Sequence, residues 1–184
     1  MWIINCILLV MGSVAAVMGI SFFWRNKNAA GKMRTYICAL GISSAVWCIS
    51  YGVIGITEEL YLCDPVRTVG VISITAFLTS EVFLVTEISG AGGKAVFAAR
   101  IFSTVISLID VIVYAPFGVD IFMRSNGRTT WVANPDFAVN RNLHSLYILL
   151  VFLELISFAN KPSSSKRSSS IYPVLGASLI LSAA

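Results

Sequence analysis

The sequence predicts an all-α transmembrane helix bundle, five full spans plus a partial sixth, with a short extracellular β-hairpin between the fourth and fifth helices. Three observations predict it. Hydrophobic residues make up 57% of the 184-residue chain and charged residues 12%, with a mean hydropathy of +0.85, whereas a soluble domain carries roughly 25% charged residues. The apolar residues are gathered into long runs, and roughly 20 of them in a helix cross about 30 Å of hydrocarbon. The longest connection between runs holds Asn126-Gly127 between two stretches rich in aromatic and β-branched residues, the strongest short-range sign of a hairpin.

The runs fall at Trp2 to Trp24, Thr35 to Thr57, Thr68 to Gly90, Ile101 to about Ala115, and Leu143 to Phe158. The first three are comfortable spans, and the fourth and fifth need flanking residues such as Ala98 and Asn160 to reach full length. No Lys or Arg precedes the first run and it is longer than a signal-peptide core, so it reads as a helix that stays. A final run, Ile171 to Ala184, has 14 residues and is short for a crossing. The sequence reads as one membrane-embedded domain over 1–184.

Basic residues set the expected orientation, because Lys and Arg collect in cytoplasmic loops. Arg25, Lys27, Lys32, Arg34, Lys94, Arg100, Lys161, Lys166 and Arg167 fall on one side, and Arg67, Arg124, Arg128 and Arg141 on the other. The N-terminus is therefore expected outside, and the final run enters the bilayer from the cytoplasm. A pI near 9.0 invites a nucleic-acid reading, but the basic residues are dispersed between apolar runs and form no stripe. "KPSSSKRSSS" (161–170) reads as a hydrated basic connection near anionic lipid headgroups.

Residues 116 to 142 read "PFGVDIFMRSNGRTTWVANPDFAVNRN". "VDIFMR" and "RTTWVA" are strand-like, and Asn134-Pro135-Asp136 makes a second turn back toward the fifth helix. Two strands alone are marginal in water, so the hairpin must lie against the helix ends, with Phe122 and Trp131 as its anchors. A plain connector and a lid over an external pocket both fit.

Four carboxylates interrupt the apolar runs: Glu87 lies close to the inner surface, within reach of water, and three lie deeper. At about 1.5 Å per residue, Glu81 falls roughly 20 Å below the outer end of the third run, Asp110 about 15 Å from the inner end of the fourth, and Glu154 about 18 Å from the outer end of the fifth. All three are expected near the midplane, where no Lys, Arg or His matches them, as hydrogen-bonded packing groups or as a proton or cation site. His144, the single histidine, stands at the outer mouth of the fifth helix, open to external pH, to a ligand, or simply to solvent. Cys6, Cys38, Cys48 and Cys63 show no CxxC spacing and read as four unpaired thiols, Cys63 alone in an outer loop. No nucleotide, zinc or nucleophile motif occurs, so no cofactor, metal or catalytic residue is expected.

Taken in order, "SSAVWCISYGVIGI", "RTVGVISITAFLTSEVFL", a fourth helix ended by proline, "DIFMRSNGRTTWVANPDF" and "LHSLYILL" resemble the N-terminal seven-helix sensor region of bacterial membrane histidine kinases and diguanylate cyclases. The resemblance spans nearly the whole chain. It implies a receptor bundle in the bacterial plasma membrane, with a seventh helix and a cytosolic output domain to follow, and homodimerisation through that output region. The resulting expectation is a sensory input module without enzymatic activity of its own. Its small ligand, or a membrane condition, would be read near Arg67, Trp131, Asn134, Asp136 and His144. A small proton- or cation-coupled transporter built on Glu81, Asp110 and Glu154 is the alternative, and a membrane scaffold subunit is a third reading.

Overall fold

The computed structural model describes residues 2–25, 31–89, 91–116, 118–125 and 128–159. Within them are five long helices: α1 (Trp2–Arg25), α2 (Gly31–Ile56), α3 (Cys63–Ile88), α4 (Gly93–Tyr114) and α5 (Ala138–Ala159). At 22 to 26 residues each they are about 33–39 Å long. All five are long and apolar enough to cross a membrane. The expected partial sixth span, the basic linker before it and the Asn126-Gly127 turn lie outside the described residues.

Each helix packs on its neighbour in sequence, and α5 folds back to touch α3 as well as α4. α3 is therefore central: 56% of its apolar window is buried, against 11% for α1 and 22% for α4 and α5. Phe77, Leu78, Val82 and Val85 of α3 meet Tyr147, Val151, Leu155 and Phe158 of α5, with Ala99 of α4 completing the cluster. The three- and four-residue spacings place each set on one helix face.

α1 joins the bundle through α2 by backbone proximity. A Cβ on Gly41 would meet Ala15 O and Gly19 Cα, each at 2.8 Å, and one on Gly19 would meet Gly41 Cα at 3.0 Å. Glycine at these positions lets the two helix axes close up, a packing mode suited to lipid, where dispersion rather than water exclusion holds helices together.

The helices begin earlier than the apolar runs. α3 starts at Cys63, not Thr68; α4 at Gly93, not Ile101; α5 at Ala138, not Leu143. Polar residues at helix starts have orphan backbone donors to serve and neighbouring chain to bond, so they continue the helix where hydropathy alone does not. Asp64 in the first turn of α3 favours the positive end of the helix, and Pro65 is tolerated there because its missing N–H has no intrahelical partner. Cys63 is consequently a buried helix residue, 0% exposed, and not a loop thiol. Arg67, Lys94, Arg100, Arg141 and His144 likewise sit on helices. All four cysteines are free thiols, as expected.

The hairpin forms as expected, β1 (Asp120–Ser125) pairing antiparallel with β2 (Arg128–Ala133) in a register that sets Phe122 opposite Trp131 and Ser125 opposite Arg128. Gly118, at φ 86°, turns the chain from α4 into β1 through the left-handed region that glycine enters freely. The aromatic anchor is partial. Trp131 reaches Phe122 and Tyr51, with ring centroids 6.4 and 6.1 Å away, yet remains 46% exposed. The firmer attachment is at the base, where Val119 and Thr129 are buried and Thr129 Oγ1 donates to Thr57 O at 2.9 Å.

Candidate functional site

The C-terminal end of α4 is where three helices and the hairpin meet. The last carbonyls of a helix have no intrahelical partner, and here side chains from its neighbours supply them. Val113 O accepts from Asn140 Nδ2 of α5 at 2.6 Å, Tyr114 O from Arg67 Nη2 of α3 at 3.4 Å, and Ala115 O from Thr68 Oγ1 of α3 at 3.0 Å. Gly118 N then donates to Asp64 Oδ1 at 3.4 Å. Capping α4 thus fixes the point from which the hairpin departs.

Arg67 is the centre of the upper layer. It is 1% exposed, its Nε donates to Asp120 Oδ2 at 2.5 Å, and its guanidinium lies 4.7 Å from the Tyr114 ring centroid. Its Nη1 is buried without a hydrogen-bond partner among the described residues. Asp120, the first residue of β1, also faces Arg141 Nη1 of α5 at 3.6 Å. Arg141 in turn donates to Val119 O at 3.2 Å and to Asn134 O at 2.7 Å, while Asn134 Nδ2 donates to Gly118 O at 2.6 Å. One carboxylate between two arginines therefore ties β1 to α3 and α5, and the low exposure of the Arg67–Asp120 pair, 2% and 14% for the side chains, makes its partnership costly to break.

A lower layer lies one turn into the bundle. His144 Nδ1 is 2.9 and 3.0 Å from the two Asp110 oxygens, and Thr75 Oγ1 of α3 is 3.4 Å from Asp110 Oδ2. The imidazole stacks on Tyr114 with centroids 3.8 Å apart. Below it, Ser107 Oγ lies 2.7 Å from Thr79 Oγ1 and 3.1 Å from Tyr147 Oη. The inward stripe of α4 is thus polar along its length, at Arg100, Ser103, Ser107, Asp110 and Tyr114, and Ser103 Oγ is buried with no hydrogen-bond partner among the described residues. Toward the opposite end, Arg100 pairs with Glu87 at 2.7 Å and donates to Thr86 Oγ1 and Phe83 O.

Of the residues expected to form a ligand site, Arg67 and His144 are brought to the same Tyr114 ring, and Asn134 joins them through Arg141. Asn134 also accepts from Asp136 N at 3.1 Å, which caps the turn before α5. Trp131 and Asp136 stand apart on the exposed surface. His144 is not solvated at a helix mouth: its side chain is 15% exposed and bonded to a carboxylate.

The three carboxylates expected near the midplane do not share one level. Asp110 is four residues from the end of α4, about 6 Å, and has a histidine partner. Glu81 and Glu154 lie past the midpoints of α3 and α5, toward the end away from the hairpin. Glu81 is 0% exposed, and Glu154 Oε2 is buried with no hydrogen-bond partner among the described residues. The unexpected early starts of α4 and α5 produce this shift. Sequence reasoning missed Asp120, Arg141, Tyr114 and Thr75; the recurrence of polar residues at 100, 103, 107, 110 and 114 was the available signal for the α4 stripe. No group of three His, Cys, Asp or Glu side chains among the described residues is arranged to hold a metal ion.

The assembly can hold charge, exchange protons and change hydrogen-bond partners at the junction of hairpin and helices. In comparisons with known proteins, no protein-family model matches the chain and no curated protein matches it.

Proposed function

We propose that this chain is the sensory input module of a bacterial membrane receptor of the histidine kinase or diguanylate cyclase type, multi-pass in the plasma membrane with its N-terminus and hairpin outside. The observation that carries the reading is the Arg67–Asp120–Arg141 junction. The first residue of the hairpin, Asp120, is held between Arg67 of α3 and Arg141 of α5, so displacing the hairpin there acts on both helices. A stimulus acts only through its different affinity for two arrangements; the two this reading requires are the hairpin engaged, as at this junction, and the hairpin released. The orientation rests on the count of Lys and Arg read from the sequence, nine on the side away from the hairpin and four on the hairpin side. An unidentified small ligand, the lipid bilayer, and a second copy engaged through an output region are the partners this reading requires.

The test is amide exchange across residues 119–132 of the full chain in lipid nanodiscs, with and without fractions of a small-molecule extract and across changes of lipid and buffer. At least one condition should alter hairpin protection. Uniform protection under all of them would remove the reading. The transporter alternative draws on the polar α4 stripe and the buried Glu154 oxygen. It predicts proton or cation flux in liposomes that Glu154→Gln abolishes.

A further inference from the structure

Tyr114 connects the two polar layers. Its ring lies against the His144 imidazole, with planes 8° from parallel, and the Arg67 guanidinium faces the same ring. Its carbonyl is one of the acceptors of Arg67. A single residue therefore touches both the imidazole and the cation that holds the hairpin.

We propose that the Asp110–His144 pair is a proton-binding site whose charge state sets the position of the hairpin, so that the stimulus read by this module is the external proton concentration. The inference rests on the sensory reading and names its ligand. With Asp110 ionised, both of its oxygens only accept, so the His144 Nδ1 that approaches them at 2.9 and 3.0 Å carries a hydrogen. The exchangeable proton is then the one on Nε2. Histidine is the side chain that changes charge between about pH 5 and 8. The imidazole keeps 15% exposure while the Asp110 side chain has 1%, so the ring is the more accessible member of the pair.

The groups facing the imidazole define what a proton does there. From α4 they are Asp110 and Tyr114; from α5, Tyr147, with its ring centroid 6.0 Å away; from α3, Arg67 across the Tyr114 ring and the neutral hydroxyl of Thr75 on Asp110. Asp120 lies beyond Arg67 on the hairpin. Protonation turns a singly negative pair into a neutral one and sets a second cation against the ring that already faces Arg67. The imidazolium draws on the same π electrons as the guanidinium, and the pair as a whole, no longer negative, attracts Arg67 less. Both effects loosen Arg67 from Tyr114, and Arg67 shares with Arg141 the hold on Asp120 at the start of β1. Proton binding at His144 shifts the hairpin toward release.

Because the chain has one histidine, an isotope-labelled imidazole reports this site without assignment. The experiment follows that imidazole and a fluorotryptophan signal from Trp131, identified with Trp131→Phe, as pH is varied on the full chain in lipid nanodiscs. The two signals should share one titration midpoint. Asp110→Asn, which removes the carboxylate facing Nδ1, should change both signals together. His144→Gln should abolish the Trp131 response. Tyr114→Leu should leave the imidazole titrating but uncouple Trp131, and Tyr114→Phe, which keeps the ring, should preserve coupling. An imidazole that titrates while wild-type Trp131 does not move, or that stays in one charge state across the range, overturns the proposal. Asp120→Asn separates the two readings: if it displaces Trp131 and repacks the far helix ends while pH does neither, the proton is the wrong stimulus and the sensory reading stands. If Asp120→Asn leaves the far helix ends unchanged, the sensory reading itself falls.

Discussion

Replacing Asp120 by alanine leaves the Arg67 guanidinium without its carboxylate in a site where Arg67 is 1% exposed. Truncating one partner of a buried ion pair costs about 3–5 kcal/mol. Arg67 keeps the Tyr114 carbonyl at 3.4 Å and the Tyr114 ring at 4.7 Å, the ring contact being worth about 1 kcal/mol. Arg141 keeps two backbone carbonyls. The expected loss is therefore near the lower end, about 3 kcal/mol. The paired change Arg67→Met with Asp120→Leu removes both charges and replaces them with apolar volume, and is expected to be close to neutral. Equilibrium unfolding in mild detergent of Arg67→Met, Asp120→Leu and their double variant completes a cycle, and amide exchange over 119–132 localises the effect to the hairpin. A loss below about 0.5 kcal/mol for Asp120→Ala, the range of an ordinary surface change, or strictly additive single effects, would refute the latch.

Gly41→Ala sets a methyl group against Ala15 O and Gly19 Cα at 2.8 Å; these are backbone atoms that cannot turn aside, so α1 must shift, at about 1–3 kcal/mol. Gly92→Ala, with nothing within 4 Å, should leave the melting temperature unchanged in the same assay. Thr129→Val removes the buried bond to Thr57 O and should cost about 1–2 kcal/mol, seen as faster exchange in β2. Arg124→Ala breaks an ion pair whose side chains are 36% and 79% exposed and should change stability by less than about 1 kcal/mol, with the difference vanishing at high salt.

Much of this fold was legible in the sequence because hydropathy reports long apolar helices and runs of aromatic and β-branched residues report strands. The five helices and both strands follow from those two signals. Helix ends were not legible: Asp64, Lys94 and Asn140 look like loop residues, yet each lies in a helical turn, and Asp64 and Asn140 have partners in space. The same blindness displaced the site. His144 and Asp110 are 34 residues apart in sequence, and nothing local says that α4 and α5 bring them within hydrogen-bond reach. Asp120 looked like an unremarkable strand residue, and only the capping of α4 by Arg67, Thr68 and Asn140 places it beside a buried guanidinium. The glycines of α1 and α2 were visible, but which of them face each other depends on the crossing of two helices.

The linkage between hairpin and helices is tested most directly by pulsed electron resonance on the full chain in lipid nanodiscs. Spin labels go at Phe97 of α4 and Ile156 of α5, both exposed and both at the end away from the hairpin. The distance between them is compared with Asp120 intact and with Asp120→Asn. The account predicts a displacement of about 1–2 Å or more, the scale of helix shifts in switching proteins. An unchanged distance distribution, in a variant whose hairpin exchange shows the latch released, would contradict it.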